Sequence, residues 1–211
     1  MTSDKVGCAR LLIQKFSLLL ASSAALFCGI AACGSQTETI TWKEEVALHD
    51  GKTIVITRSV TVGGGRKEPG TQSVGESNYT LDFTAPNGQQ VHWENQAHLL
   101  AMILDFQNGV PFLAAKPRTG TDNARYGCSD PNYVFYKYIN GWQRIKYGDF
   151  PADFRTSNLI ISVSRHGRQL QNRTASPDEI LEANSTLDRY YREVDPNERS
   201  PAECKTMRIF D

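Results

Sequence analysis

Several side chains in this sequence are of types that do chemistry. His92, Glu94 and His98 stand close together and offer two imidazoles and a carboxylate, donors that can hold a divalent metal. Ser164 lies just before His166, the pairing of a nucleophile with its base. Gly63-Gly64-Gly65-Arg66-Lys67 has the glycine content of a phosphate cradle. Each reading meets a physical objection. A metal needs three or four converging groups, whereas alternation puts His92 and Glu94 on the wet face of a strand with Asp82 near enough to satisfy His92. Ser164 and His166 share only adjacency, and Arg165-His166-Gly167 reads as a turn, as does His49 in His49-Asp50-Gly51. The glycine run lacks the spacing, terminal hydroxyl and following helix of a P-loop. No Gly-x-Ser-x-Gly elbow, His-Glu-x-x-His helix or closely spaced cysteine pair occurs. No catalytic residue, metal ligand or cofactor is therefore assigned.

Aromatic residues give a different kind of candidate. Tyr136, Tyr138 and Trp142 gather about one hairpin with Lys137 and Arg144 among them. Rings beside cations suit a glycan or an anionic polymer, while the plainer alternative is that the rings fill the core and the cations face water. The chain's 211 residues carry 23 basic and 23 acidic side chains. That balance argues against a nucleic-acid partner, which calls for a basic excess. It also argues against a disordered chain, since 40% of the residues are apolar.

The elements that must position these side chains begin after a leader. Lys5, Arg10 and Lys15 precede an apolar run from Phe16 to Ala32, the pattern of a secretory signal peptide. The run is too short, and too rich in Ala, Ser and Gly, to cross a hydrocarbon layer of about 30 Å with ease. No twin arginine is present, which points to the general secretory route. The run ends in Ile30-Ala31-Ala32-Cys33. This resembles the lipobox of bacterial lipoproteins, and the resemblance implies that residues 1–32 are cleaved. Cys33 would then be acylated, palmitate included, and would anchor the chain to a bilayer without a spanning helix. Gly34 and Ser35 follow, with no aspartate. In Gram-negative lipoproteins that implies the outer membrane, with the domain facing the periplasm.

Loss of the leader removes Cys8 and Cys28, and acylation occupies Cys33, so Cys128 and Cys204 remain. Two thiols in an oxidising compartment are expected to form one disulfide; two unpaired thiols, or a nucleophilic Cys128, are the alternatives. Closing so long a loop would stabilise by about 4 kcal/mol on the chain-entropy account.

Residues 33–38 read as a lipidated polar tether and 39–211 as a single β-rich domain. Ile40, Trp42, Val46 and Leu48 share one parity, as do Ile54, Ile56, Val60 and Val62. A three-residue turn at His49-Asp50-Gly51 matches their apolar faces, setting Val46 opposite Ile54 and Trp42 opposite Arg58. Glu44 is then the one acidic residue on the apolar face, diagonal to Arg58 and placed for an ion pair. Matching Tyr79, Leu81 and Phe83 to Val91 and Trp93 pairs Phe83 with Val91 and Asp82 with His92. Leu99–Gln107, apolar on both faces, is expected to be a central strand. Pro111 confines the next strand, 110–116, to an edge or places the proline among its first residues. Strands are expected over 133–139, 142–147 and 158–164. With about nine strands and several Asx-Gly turns, the fold expected is a single antiparallel β-sandwich or barrel.

One C-terminal helix interrupts the pattern. Ser176-Pro177-Asp178-Glu179 is a capping box, and Ile180, Ala183, Leu187, Tyr191 and Val194 follow at helical spacing until Pro196. Asn184-Ser185 is the point at which it would weaken or split. Such a helix would cover an edge or mouth of the sheet.

Trp42-Lys43-Glu44-Glu45-Val46, His49-Asp50-Gly51, Tyr133-Val134-Phe135-Tyr136-Lys137-Tyr138 and Trp142-Gln143-Arg144-Ile145 resemble segments of a family of uncharacterised proteobacterial lipoproteins, over most of the mature chain. The resemblance implies an envelope location and a β-rich domain and brings no activity with it. Two functions follow as expectations. One is a non-enzymatic envelope lipoprotein that binds an envelope protein or a glycan. The other is a periplasmic hydrolase whose site is assembled from scattered residues, with a histidine, a carboxylate and a hydroxyl in mutual reach.

Overall fold

Period-two alternation builds the first sheet. The computed structural model describes residues 37–63, 75–96 and 98–206; the leader, Cys33 and Gly64–Lys67 lie outside the described residues. Strands β1 (Thr37–Ala47), β2 (Thr53–Gly63), β3 (Glu76–Thr84) and β4 (Gln90–Asn95) form an antiparallel meander. β1 starts at Thr37, inside the segment expected to be tether. Its register with β2 sets Val46 against Ile54, Ile40 against Val60 and Trp42 against Arg58. The turn is the three-residue one, with Gly51 at φ +80° and Leu48 N–H donating to the Lys52 carbonyl at 2.8 Å. In the second hairpin Phe83 faces Val91, and Asp82 faces His92.

The second sheet is made of β5 (Leu99–Gln107), β6 (Val110–Pro117), β7 (Val134–Tyr138) and β8 (Trp142–Ile145), in that spatial order. The expectation that Leu99–Gln107 is central is corrected, because β5 is an edge and β6 lies inside. Pro111 therefore sits near the start of an interior strand, opposite Phe106. β5 is apolar on both faces because the whole sheet is covered twice. Leu104, Leu113 and Val134 pack against Ile56, Leu81 and Phe83 of the first sheet. Met102, Ile103, Phe112 and Phe135 pack on the other side beneath Phe150, Phe154 and Ile161. A register shift between Ala101 and Ile103 keeps Leu99, Ala101, Leu104 and Phe106 on the inner face.

No strand covers 158–164, contrary to the sequence expectation. The N–H groups of Asn158 and Leu159 both donate to the Met102 carbonyl, and side chains make the other ties. Asn158 caps the open edge of β5: its Oδ1 accepts from Leu104 N–H (3.0 Å), and its Nδ2 donates to the carbonyls of Leu104 and Ala47 (both 2.9 Å). Ile160 N–H donates to Glu44 Oε2 (3.1 Å), and Ile161 N–H to Asn184 Oδ1 (3.1 Å). On the opposite rim Trp142 Nε1 donates to the His92 carbonyl at 2.8 Å, tying β8 to β4. The result is a sandwich of two packed sheets, stitched at both rims, and not a closed barrel.

Among the described residues four α-helices accompany the sheets where one helix was expected. These are α1 (Gly120–Arg125), α2 (Val163–Leu170), α3 (Pro177–Ser185) and α4 (Arg189–Arg192). The capping box forms as expected, Ser176 Oγ accepting from Glu179 N–H and Glu179 accepting from Ser176 N–H. The helix expected after it splits after Ser185 into α3 and α4, at the residues whose side chains compete for backbone partners. Strand β9 (Thr174–Ala175) pairs parallel with β1 and completes a five-stranded sheet. Cys128 and Cys204 are disulfide-bonded, joining the loop after α1 to a single turn of tight helix at Ala202–Thr206.

Glu44 and Arg58 are 0% and 3% exposed, and they form the ion pair that their register allows, at 2.9 Å. Glu44 Oε1 also accepts from Trp42 Nε1 (2.7 Å), and Arg58 Nη1 donates to the Ile160 carbonyl (2.7 Å). Removing one member leaves the other charge buried without a partner. Glu44→Ala is expected to lower unfolding free energy by about 3–5 kcal/mol. Glu44→Gln, which keeps an acceptor for Trp42, loses less. Urea denaturation of the three proteins checks the order, and a Glu44→Ala chain within about 1 kcal/mol of the parent would overturn the account.

Candidate functional site

The turn between β1 and β2 delivers His49 to the end of the sandwich where β5 finishes. Asp105, buried at 3% exposure, waits there near the end of β5. Its carboxylate accepts three hydrogen bonds: from His49 N–H to Oδ2 (2.9 Å), from Phe106 N–H to Oδ1 (2.7 Å) and from the His49 ring at Nδ1 to Oδ1 (2.8 Å). With its Nδ1 hydrogen given to a carboxylate, the neutral imidazole carries its lone pair on Nε2. Nε2 has no hydrogen-bond partner among the described residues. The Phe154 ring leans on the imidazole at 4.6 Å between centroids. That ring is itself held edge-on by Phe112 and Phe150.

Beside His49 opens a cleft of about 230 Å³. Its apolar walls come from Leu48, Ile103, Phe154, Ile180 and Leu181, and its rim from Asp153, Arg155 and Thr156. An open groove of about 540 Å³ continues past Leu48 and His49 towards Phe106 and the turn after β5. The arrangement is half of a nucleophilic triad, a histidine oriented by a buried aspartate. The buried hydroxyl of the lining, Ser157 Oγ, donates to the Tyr191 carbonyl at 2.6 Å.

Sequence reasoning noted His49 as a turn residue and did not pair it with Asp105. The available signal was a lone aspartate inside an otherwise apolar strand, since a buried charge requires a partner.

Of the residues expected to form a ligand surface, Tyr136, Tyr138, Trp142 and Arg144 share one face of β7 and β8, and Lys137 lies on the other. Tyr136, Tyr138 and Trp142 are partly buried and pack against the core between the sheets. Tyr138 and Trp142 meet edge-on at 5.3 Å. Lys137 projects from the opposite face, over the Phe112 ring at 5.5 Å. Arg144 donates to the Tyr126 carbonyl and to Ser129 Oγ (2.7 Å). The pleat therefore separates Lys137 from the three rings, while Arg144 stays on their face and is bonded within the protein.

The histidine trio also separates. His92 Nδ1 lies 2.6 Å from Asp82 Oδ1, while His98 Nδ1 lies 2.7 Å from Asp122 Oδ1. Among the described residues no cluster of three His, Cys, Asp or Glu side chains is placed to hold a metal ion. His166 lies in α2 and not in a turn, with Nδ1 3.1 Å from the Ser162 carbonyl. The Ser164 side chain, like Cys33, lies outside what the structure describes. No family model, curated protein or solved structure matches this chain.

Asp82 raises the affinity of His92 for its proton, chiefly through their hydrogen bond. The folded chain therefore binds that proton more tightly than the unfolded chain. The pair's contribution is fully present below the ordinary histidine value of about 6.5 and is lost as pH rises through the higher folded value. In an NMR titration His92 is expected to titrate above that ordinary value, and Asp82→Asn should bring it down. An unchanged midpoint in Asp82→Asn would remove Asp82 as the cause.

Proposed function

We propose that this chain is a bacterial envelope lipoprotein, a disulfide-bonded β-sandwich held at a bilayer by acylated Cys33, that serves as a binding module. The observation that carries the reading is the Cys128–Cys204 bond. Once Cys8, Cys28 and Cys33 are assigned to the leader and the lipid, the two cysteines left over pair with each other. That is how a domain matured outside the reducing cytosol uses its thiols. No helix among the described residues is long and apolar enough to cross a membrane, and in this reading the anchor is the lipid on Cys33. The outer membrane, with the domain on the periplasmic side, fits Gly34 and Ser35 after the cysteine.

In this reading the short tether limits how far the start of β1 can lie from the bilayer. Cys33 to Thr37, fully stretched, spans roughly 13 Å at about 3.3 Å per residue. β1 then runs for 11 residues before reaching the His49 turn, about 36 Å further on at the rise of a β-strand. The start of β1 is thus held near the headgroups, and the His49 cleft opens at the other end of the strand. A second reading, a periplasmic hydrolase, is favoured by the His49–Asp105 pair; it requires His49→Ala to abolish turnover of an ester or amide substrate.

The anchor is tested by labelling with palmitate in a bacterial host, followed by fractionation. The parent chain is expected to take up label and pellet with membranes. Cys33→Ser is expected to lose both while keeping its disulfide and its β-type circular dichroism. An unlabelled parent chain that still bears its first methionine would overturn the proposal.

A further inference from the structure

Most polar atoms around the His49 cleft are already engaged. Asp105 accepts three hydrogen bonds, Asn158 makes three through its amide, and Ser157 donates to Tyr191. What remains on the inner surface is hydrocarbon from Leu48, Ile103, Phe154 and Ile180, and one acceptor, His49 Nε2. The charges of the lining, Asp153 and Arg155, stand exposed at the rim, and on the inner surface no buried charge is left without a partner, so an ion at the bottom of the cleft would lose its water without compensation. Leu181 on α3 lines the mouth and stays 54% exposed, although Ile180 beside it is fully buried. Protein interiors close up around gaps of this size unless the walls are held apart. Here they are held. The capping box fixes the start of α3, Asn158 ties the loop to both sheets, and two phenyl rings wedge Phe154.

Size and chemistry together describe the occupant. A dry cavity of about 150 Å³ takes up benzene. A cleft of about 230 Å³ accommodates a body nearer to a fused bicyclic ring. We propose that the cleft binds a small neutral molecule with one apolar body of indole size and one N–H or O–H donor, which donates to His49 Nε2. The inference deepens the binding-module reading and rests on it. It does not depend on the lipid, so a failed palmitate experiment would leave it standing, and a failed titration would leave the anchor standing.

The test uses the full chain in lipid nanodiscs and equilibrium dialysis, with uptake by empty discs subtracted. Indole is the probe, and 1-methylindole is the control that keeps the ring and lacks the donor. Indole is expected to bind saturably at one site, and 1-methylindole five- to tenfold more weakly, the range of one neutral hydrogen bond. His49→Phe keeps a ring beside Phe154 and removes Nε2, so it should erase the difference between the probes. Leu181→Trp, on an exposed helix position away from Asp105, should fill the mouth and weaken both probes at least tenfold. Absence of saturable indole binding, equal affinity for the two probes, or unchanged binding by Leu181→Trp would each overturn the proposal.

Discussion

Burial of Glu44 and Arg58 is the constraint around which the sandwich is arranged. Two opposite charges on the inner face of a sheet demand more partners than each other. Trp42 meets part of that demand from the same strand, and the backbone of Ile160 meets the rest, its N–H on Glu44 and its carbonyl on Arg58. A segment without regular structure is thereby held against the first sheet. Two residues earlier in the same segment, Asn158 seals the edge of β5, and directly after it comes α2. The second sheet, the helical cover and the cleft all inherit their placement from a strand of chain that the ion pair immobilises.

The hairpins could be read in the residues because two independent signals agreed. Alternation named the apolar face, and Asp50-Gly51 or Asn87-Gly88 named the turn, so only one register matched both. The 158–164 segment could not be read that way. Its hydrogen bonds run to Glu44 and Asn184 side chains far away in sequence, and no periodicity reports such partners. Helix α2 was hidden by Gly167, a residue that weakens helices by about 1 kcal/mol relative to alanine. A Cβ there would meet the Trp42 ring at 3.4 Å, an ordinary van der Waals contact, so the helix lies packed against the first sheet at this point. The candidate site was half visible. His49 announced itself in a turn, but its orientation depends on Asp105, a residue 56 positions away. The aromatic hairpin was read from residue types, and the pleat sets Lys137 on the face opposite the three rings and Arg144.

The tail of the chain repeats the logic of the central pair at the other side of the second sheet. Lys116, 3% exposed, pairs with Glu198 and lies over the rings of Tyr133 and Tyr190 at 4.6 and 4.8 Å. Burial pulls its ammonium below the usual lysine range. Tyr133 hydroxyl bonds with the backbone at Tyr190, Glu193 and Asp195 pull the same segment down. Together with the disulfide they fix the last described residues beside Lys116 near the end of β6 and against the loop after α1.

β1 also has a mechanical meaning. It pairs with β2 from Thr37 to Ala47 without interruption, and its far end carries the turn that bears His49. Tension applied between the first residue of β1 and anything gripped at that turn runs along the strand axis. Hydrogen bonds between antiparallel strands lie across that axis. They therefore lie across such a load and carry little of it, since both points of attachment belong to one already extended backbone, whereas a pull at right angles would unzip them singly. The geometry makes the molecule a stiff strut between its two ends.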